Sequence, residues 1–140
     1  ACLARGAAAE TFAPGHHGTT YGGNPLACAA AGAVLDALAE ESLIARAEPL
    51  SRRIRDSLQA GLQNRSMLRE IRSAGLMIGV ELARDCGALA QRAMEAGLLI
   101  NVTAGNTIRL LPPLVMSDAQ ADALGSTLAA VIDTWSEESA

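Results

Sequence analysis

Between Leu76 and Leu82 the chain alternates without a break: Leu76, Ile78, Val80 and Leu82 are separated by Met77, Gly79 and Glu81. A period of two marks a strand with one face buried and one face open. Elsewhere the apolar spacing is helical. Leu26, Ala30, Val34 and Leu38 form one stripe, Leu43, Ala47, Leu50, Ile54, Leu58 and Leu62 a second, and Leu124, Leu128, Val131, Ile132 and Trp135 a third. A strand that hides one face needs a second layer to hide it against, and helical stripes are the available material. The expected fold class is therefore α+β, a short and largely antiparallel sheet covered by helices. With one Trp, one Tyr and one Phe, this layer must close on small and aliphatic side chains at short range.

Local signals place the elements. Asn24-Pro25 predicts a helix start, Asn as cap and Pro at the first helical position, and the helix is expected to run to about Glu41. Ser42 is a candidate cap for the next helix. Pro49 predicts a break there, a short turn followed by a helix beginning near Pro49. Leu68 to Arg72 is the candidate partner of the alternating strand. Asp85 is expected to cap a helix from Cys86 to Ala96, with Gly97 ending it. Leu98–Val102 and Thr107–Leu111 flank Ala104-Gly105-Asn106 as a hairpin. Ser117 and Gln120 have capping-box spacing ahead of the last helix. Residues 2 to 5 are read as a short strand remnant, and residues 13 to 24, with four glycines and a proline, as a loop.

Composition removes several functions. The formal charge is −4 and no basic run or aromatic ladder is present, so nucleic-acid binding has no electrostatic footprint. The apolar stretch Leu26–Leu35 falls well short of the about 20 residues a membrane span requires. No basic segment followed by an apolar run opens the chain, so no signal peptide is expected. The start on Ala1 without Met suggests a processed or truncated chain. Cys2, Cys28 and Cys86 are too far apart for a C-x-x-C motif, and three reduced thiols in the cytoplasm are expected. The 11 Lys plus Arg residues are all arginine; the chain has no lysine.

The densest chemical signal is His17-Gly18-Thr19-Thr20-Tyr21-Gly22-Gly23-Asn24-Pro25, directly before a helix. Glycines let backbone approach a ligand, threonine hydroxyls donate, and a helix start presents N–H groups and a positive dipole end. Together these suit a phosphate, although a structural turn with a capped helix is an equal reading of the same residues. A Walker loop is excluded by the missing G-K-[ST]. His16 and His17 lack further ligands at zinc spacing and read as loop polar residues. Cys28 with His17 has the composition of a thiol nucleophile and base, but its place on the alanine face of a helix predicts a buried, inert thiol. Glu40-Glu41 and Glu137-Glu138 read as solvated helix ends.

Pro14 to Ala31, containing His17-Gly18-Thr19-Thr20-Tyr21-Gly22-Gly23-Asn24-Pro25-Leu26-Ala27-Cys28, resembles the H-G-[ST]-T-[FY]-G-G-N-P-L-A-C segment of the class III aminotransferases. Leu99-Ile100-Asn101-Val102-Thr103 and Ile108-Arg109-Leu110-Leu111-Pro112-Pro113-Leu114 follow in the family's order and favour its acetylornithine branch. The resemblance covers nearly the whole chain. It implies the C-terminal part of a fold-type-I pyridoxal 5'-phosphate (PLP) enzyme, with residues 1–41 the tail of the large cofactor domain plus a connecting helix, and 42–140 the small C-terminal domain. It further implies a cytoplasmic homodimer with shared active sites, transferring the δ-amino group of N2-acetylornithine to 2-oxoglutarate in arginine biosynthesis. Thr20 then matches the residue whose hydroxyl binds the cofactor phosphate, in the partner subunit's site. Thr19 matches the small hydroxyl residue near the substrate. Arg109 matches the arginine that faces the substrate pocket, binding a carboxylate or pairing with an upstream glutamate. The lysine that holds the cofactor lies upstream of the position matching Ala1, so this chain carries no catalytic residue and is expected to be inactive alone. Succinylornithine, ornithine and 4-aminobutyrate aminotransferases share the first motif and remain alternatives, as does a non-catalytic association domain.

Overall fold

The computed structural model describes residues 3–16 and 18–138, which fall into two compact units, Ala1–Glu41 and Ser42–Ala140. In the first unit a 3-10 turn, Gly6–Glu10, precedes a loop and then helix α1, Pro25–Glu40. No residue of α1 is buried, and Leu26 and Val34 of its apolar stripe are 81 % and 58 % exposed. Leu3 to Arg5 form no strand: a lone extended segment finds no neighbouring strand to satisfy its backbone, and Cys2 lies outside the described residues.

The second unit is a two-layer α+β sandwich. Helix α2 is Leu43–Gly61, β1 is Leu68–Ala74, β2 is Met77–Leu82 and α3 is Leu89–Glu95. Strands β3, Asn101–Thr103, and β4, Thr107–Leu110, make the predicted hairpin, and α4 is Asp118–Glu138. The sheet is antiparallel throughout in the order β1-β2-β4-β3. Its inner face is Ile78, Val80 and Leu82 with Ile108 and Leu110, all buried. Leu50, Ile54 and Leu58 of α2 and Leu128, Ile132 and Trp135 of α4 close over it. Full burial of one such aliphatic side chain contributes about 1.5–3 kcal/mol, so the alternation in β2 alone fixes which face of the strand turns inward.

That same burial overrides Pro49. The expected break does not occur: α2 runs through Pro49, which sits inside the helix. Proline there lacks the N–H for the Ala45 carbonyl and costs about 3 kcal/mol. Leu43 before it and Leu50, Ile54 and Leu58 after it are all buried, and only an unbroken helix keeps them on one stripe. Ser42 stands at the N-cap position but in the left-handed region, with φ 53°, and makes no side-chain cap. Its carbonyl accepts from Ala45 N–H at 3.1 Å instead.

The third helix is also shorter than expected, and Asp85 does not cap it. Cys86 N–H donates to the Gly105 carbonyl at 2.9 Å, holding residues 85 and 86 against the β3–β4 turn. A Cβ on Gly105 would come within 2.5 Å of Asp85 Oδ1, and Gly105 also has φ +78°, so glycine is required there twice over. Gly97 ends α3 as predicted. With φ +82°, it donates to the Met94 carbonyl at 3.0 Å while Leu98 donates to that of Ala93 at 2.7 Å, the paired bonds of a Schellman motif. The Ser117/Gln120 box forms in full: Ser117 N–H donates to Gln120 Oε1 at 2.9 Å and Gln120 N–H to Ser117 Oγ at 3.2 Å.

Helices α2 and α4 meet at backbone distance. A Cβ on Gly125 would lie 2.6 Å from the Ile54 carbonyl and 2.8 Å from Leu58 N. Ser57 Oγ donates to the Asp122 carbonyl at 2.8 Å beside this contact. Past the end of α2, Asp133 of α4 accepts Gln63 N–H at 2.8 Å and Asn64 N–H at 3.0 Å. Gly125→Ala gains about 1 kcal/mol of helix propensity but forces the two backbones apart. The net expectation is a loss of about 1–3 kcal/mol, the usual scale of overpacking, measured by denaturant unfolding. Gly87→Ala, where nothing lies within 4 Å of the new methyl, is expected to be near neutral.

Candidate functional site

The glycine-rich loop of the first unit leads into α1 as its residues dictate. Asn24 Oδ1 accepts from Ala27 N–H at 2.9 Å, the Asn24 carbonyl accepts from Cys28 N–H at 3.0 Å, and Asn24 Nδ2 donates back to the Tyr21 carbonyl. Pro25, at the first helical position, has no N–H. The helix start therefore has most of its N–H capacity committed to its own cap. An anion at this loop must rely on the threonine hydroxyls and loop backbone more than on the helix end.

Those hydroxyls are presented, not buried. Thr19 and Thr20 are exposed, and among the described residues neither hydroxyl makes a hydrogen bond within the chain. Gly22 is shaped around Thr19: a Cβ at Gly22 would stand 2.2 Å from Thr19 Cγ2. The loop folds back on itself, so the methyl of Thr19 occupies the space a side chain at Gly22 would take. His16 Nδ1 accepts from Ala13 N–H at 3.3 Å, a loop contact, and His17 lies outside the described residues. Cys28 is exposed rather than buried, because the alanine face it shares has no cover within its unit. Cys86 is the buried thiol. Burial first, and the Asp85 charge second, push its pKa up, away from nucleophile chemistry.

Arg109 belongs to the second unit, on the sheet face opposite the core. It pairs with Gly79 of β2 on one side and Asn101 of β3 on the other, and Gly79 in turn pairs with Arg72 of β1. The row Arg72, Gly79, Arg109, Asn101 thus crosses all four strands. A cleft of about 370 Å³ opens on this face, lined by Arg72, Met77, Gly79, Thr103, Thr107 and Arg109 among others. Gly79 leaves its floor bare: a Cβ there would meet Arg72 Cγ at 3.5 Å and Thr107 Cγ2 at 3.6 Å.

The two arginines differ in their charge environment. Arg72 Nη1 donates to Glu81 Oε2 at 2.9 Å and to Glu70 Oε2 at 3.1 Å, and these bonds, Glu81 first, raise its already high pKa. Among the described residues no carboxylate pairs with Arg109, which is exposed. An unpaired guanidinium at an open cleft is a site for a carboxylate, which it holds with two parallel N–H bonds. Thr103, Thr107, Gly79 and Arg72 were not singled out by sequence. Their grouping follows from strand register, which the alternation in β2 hints at and only the pairing fixes.

Residues 1–132 match the family described as aminotransferase class-III. The chain is 52 % identical over 132 residues to acetylornithine aminotransferase 1 of Bordetella bronchiseptica, covering 94 % of this chain and 34 % of that protein. In three dimensions it resembles ornithine aminotransferase from Toxoplasma gondii ME49, with a TM-score of 0.78, 36 % identity, and 94 % of this chain covering 32 % of that one. Acetylornithine aminotransferase from Elizabethkingia anophelis gives a TM-score of 0.74 at 35 % identity, over 89 % of this chain and 32 % of its own. The architecture is that of a segment of a PLP-dependent aminotransferase fold. The chain belongs to the class III aminotransferase family. It spans about a third of the length of the curated relatives it matches.

The cap geometry yields a test. Asn24→Ala removes the acceptor for Ala27 N–H and is expected to cost about 1 kcal/mol, seen as earlier loss of helical circular dichroism on heating. Asn24→Asp keeps the acceptor but loses the Nδ2 donation to the Tyr21 carbonyl, and is expected to melt between Asn24→Ala and the parent.

Proposed function

We propose that this chain forms the C-terminal third of a PLP-dependent aminotransferase that moves the δ-amino group of N2-acetylornithine to 2-oxoglutarate, as part of arginine biosynthesis. The observation that carries this reading is the 52 % identity over nearly the whole chain to a relative of that name. On this reading residues 1–41 are the tail of the large domain with its connecting helix, and 42–140 the small domain. The enzyme is a cytoplasmic homodimer, and the exposed apolar stripe of α1 supports a role in association. No described helix is long and apolar enough to cross a membrane.

The residues present fit the cofactor in part. Thr19 and Thr20 offer uncommitted hydroxyls on a loop pinned by Gly22 and Asn24. With no lysine in the chain, the covalent anchor must come from residues outside it. Bound PLP supplies an aldehyde that takes up the amino group and a ring that accommodates the electron pair left when a proton departs. Toward that chemistry Thr20 Oγ donates to the phosphate, in the site of the partner subunit. Thr19 lies near the substrate, and Arg109 holds a substrate carboxylate, which fixes the orientation of the reacting end. Ornithine as amino donor is the second reading, favoured by the structural likeness to the Toxoplasma enzyme.

Intact mass and visible absorbance of the purified full-length protein test the core of this. A heavier chain with a cofactor band, fixed covalently by borohydride at a lysine outside these residues, is the expected result. Cofactor fixed within this chain, or no band at all, would sink the reading. In the full-length protein Thr20→Val is expected to weaken cofactor retention on the order of tenfold or more, since a hydrogen bond to a charged group contributes about 1.5–3 kcal/mol. Dialysis followed by absorbance measures it.

A further inference from the structure

Arg109 can serve an external carboxylate only while no carboxylate of its own sheet claims it, and Glu81 is placed to do so. Glu81 is opposite Thr107 in the β2–β4 register, two residues from the Gly79–Arg109 pair and on the same open face. A diagonal cross-strand neighbour is about 7–8 Å away, within reach of two long side chains. Yet Glu81 turns the other way, toward β1. Its Oε2 accepts from Arg72 Nη1 at 2.9 Å, and its Oε1 lies 3.9 Å from Arg69 Nη1.

A β-bulge adds Arg69 to the regular diagonal contact of Arg72 with Glu81. The β1–β2 register shifts between Leu68 and Glu70, the pairs on either side being Leu68↔Leu82 and Glu70↔Glu81. The extra residue is Arg69. Burial along β1 accordingly breaks step: Leu68 is half-buried, Arg69 and Glu70 are both exposed, and alternation then resumes with Ile71 half-buried and Arg72 exposed. Without the bulge Arg69 would turn toward the core. With it, two guanidiniums converge on Glu81 from the β1 side.

We propose that Arg72, aided by Arg69, is a positioning residue: it holds the Glu81 carboxylate on the β1 side of the cleft, so that no carboxylate of the sheet itself competes for the Arg109 guanidinium with the carboxylate of an incoming dicarboxylate substrate. The proposal rests on the reading of Arg109 as a carboxylate-binding group. Arg72 lines the same cleft, and the part of its effect that runs through Glu81 is the part that a second substitution at Glu81 reverses.

The experiment uses the full-length enzyme and measures KM and kcat for 2-oxoglutarate at saturating amino donor. Arg72→Gln releases Glu81 toward Arg109. KM is expected to rise about three- to fivefold, the scale an exposed ion pair carries, with kcat changed by less than about twofold. Adding Glu81→Gln to that variant is expected to return KM to the parent value, and Arg72→Lys, which keeps a cation beside Glu81, is expected to stay near it. Should Arg72→Gln not fold, Arg72→Met is read the same way. An unchanged KM in Arg72→Gln, or a rise that Glu81→Gln fails to reverse, overturns the proposal. Arg109→Met separates the two levels. A raised KM there with no effect at Arg72 sinks the proposal alone, whereas an unchanged KM in Arg109→Met takes down the reading of Arg109 and the proposal with it.

Discussion

Strand β2 is paired on both edges and buried on one face, and the second unit is organised around that double constraint. Its neighbours β1 and β4 fix its hydrogen bonds, while Ile78, Val80 and Leu82 fix its inward face against α2 and α4. A slip of one residue would expose three aliphatic side chains and bury Glu81, a penalty no surface interaction offsets. The open face is therefore as well determined as the closed one, although its residues are polar and lightly packed. Gly79 and Glu81 are held in position by the burial of the residues between them.

The cleft inherits its precision from this arrangement. Arg109 sits on β4, which is also paired on both edges, so its backbone is fixed by the ladder rather than by a loop. The threonine loop is built on another plan. Its order comes from short-range contacts: the Asn24 cap, the Pro25 start and the fit of Thr19 over Gly22. Two kinds of local order thus support the two candidate sites, a sheet ladder under Arg109 and a capped turn at Thr19 and Thr20.

What sequence reveals follows the same division. Signals satisfied within a few residues were legible: the Asn24-Pro25 start, the Gly97 stop, the Ser117–Gln120 box and the Ala104-Gly105-Asn106 hairpin all form. Readings failed where a distant contact outweighed a local preference. Pro49 stays in α2 because Leu43 and Leu50 share one core, and Asp85 turns to Gly105 instead of capping α3. Residues 2 to 5 read as a short strand remnant, and those of them that are described, 3 to 5, have no strand beside them. The class III family was legible in the His17–Cys28 motif, while the Arg72–Glu81 clasp was not. Its members are ordinary surface charges in sequence, and the register that sets Arg72 diagonally across from Glu81, like the bulge that adds Arg69, exists only once β1 has paired.

Trp135, the one tryptophan of the chain, lies 6 % exposed on α4, with the Arg84 guanidinium 4.4 Å from its ring centroid. An indole so placed senses the closure of α4 over the sheet and the position of the segment after β2, and nothing in the first unit shares its fluorophore. Excited beyond the absorption of Tyr21, which stands in the threonine loop, the Trp135 emission is therefore a single-site optical gauge of the sheet-and-helix layer.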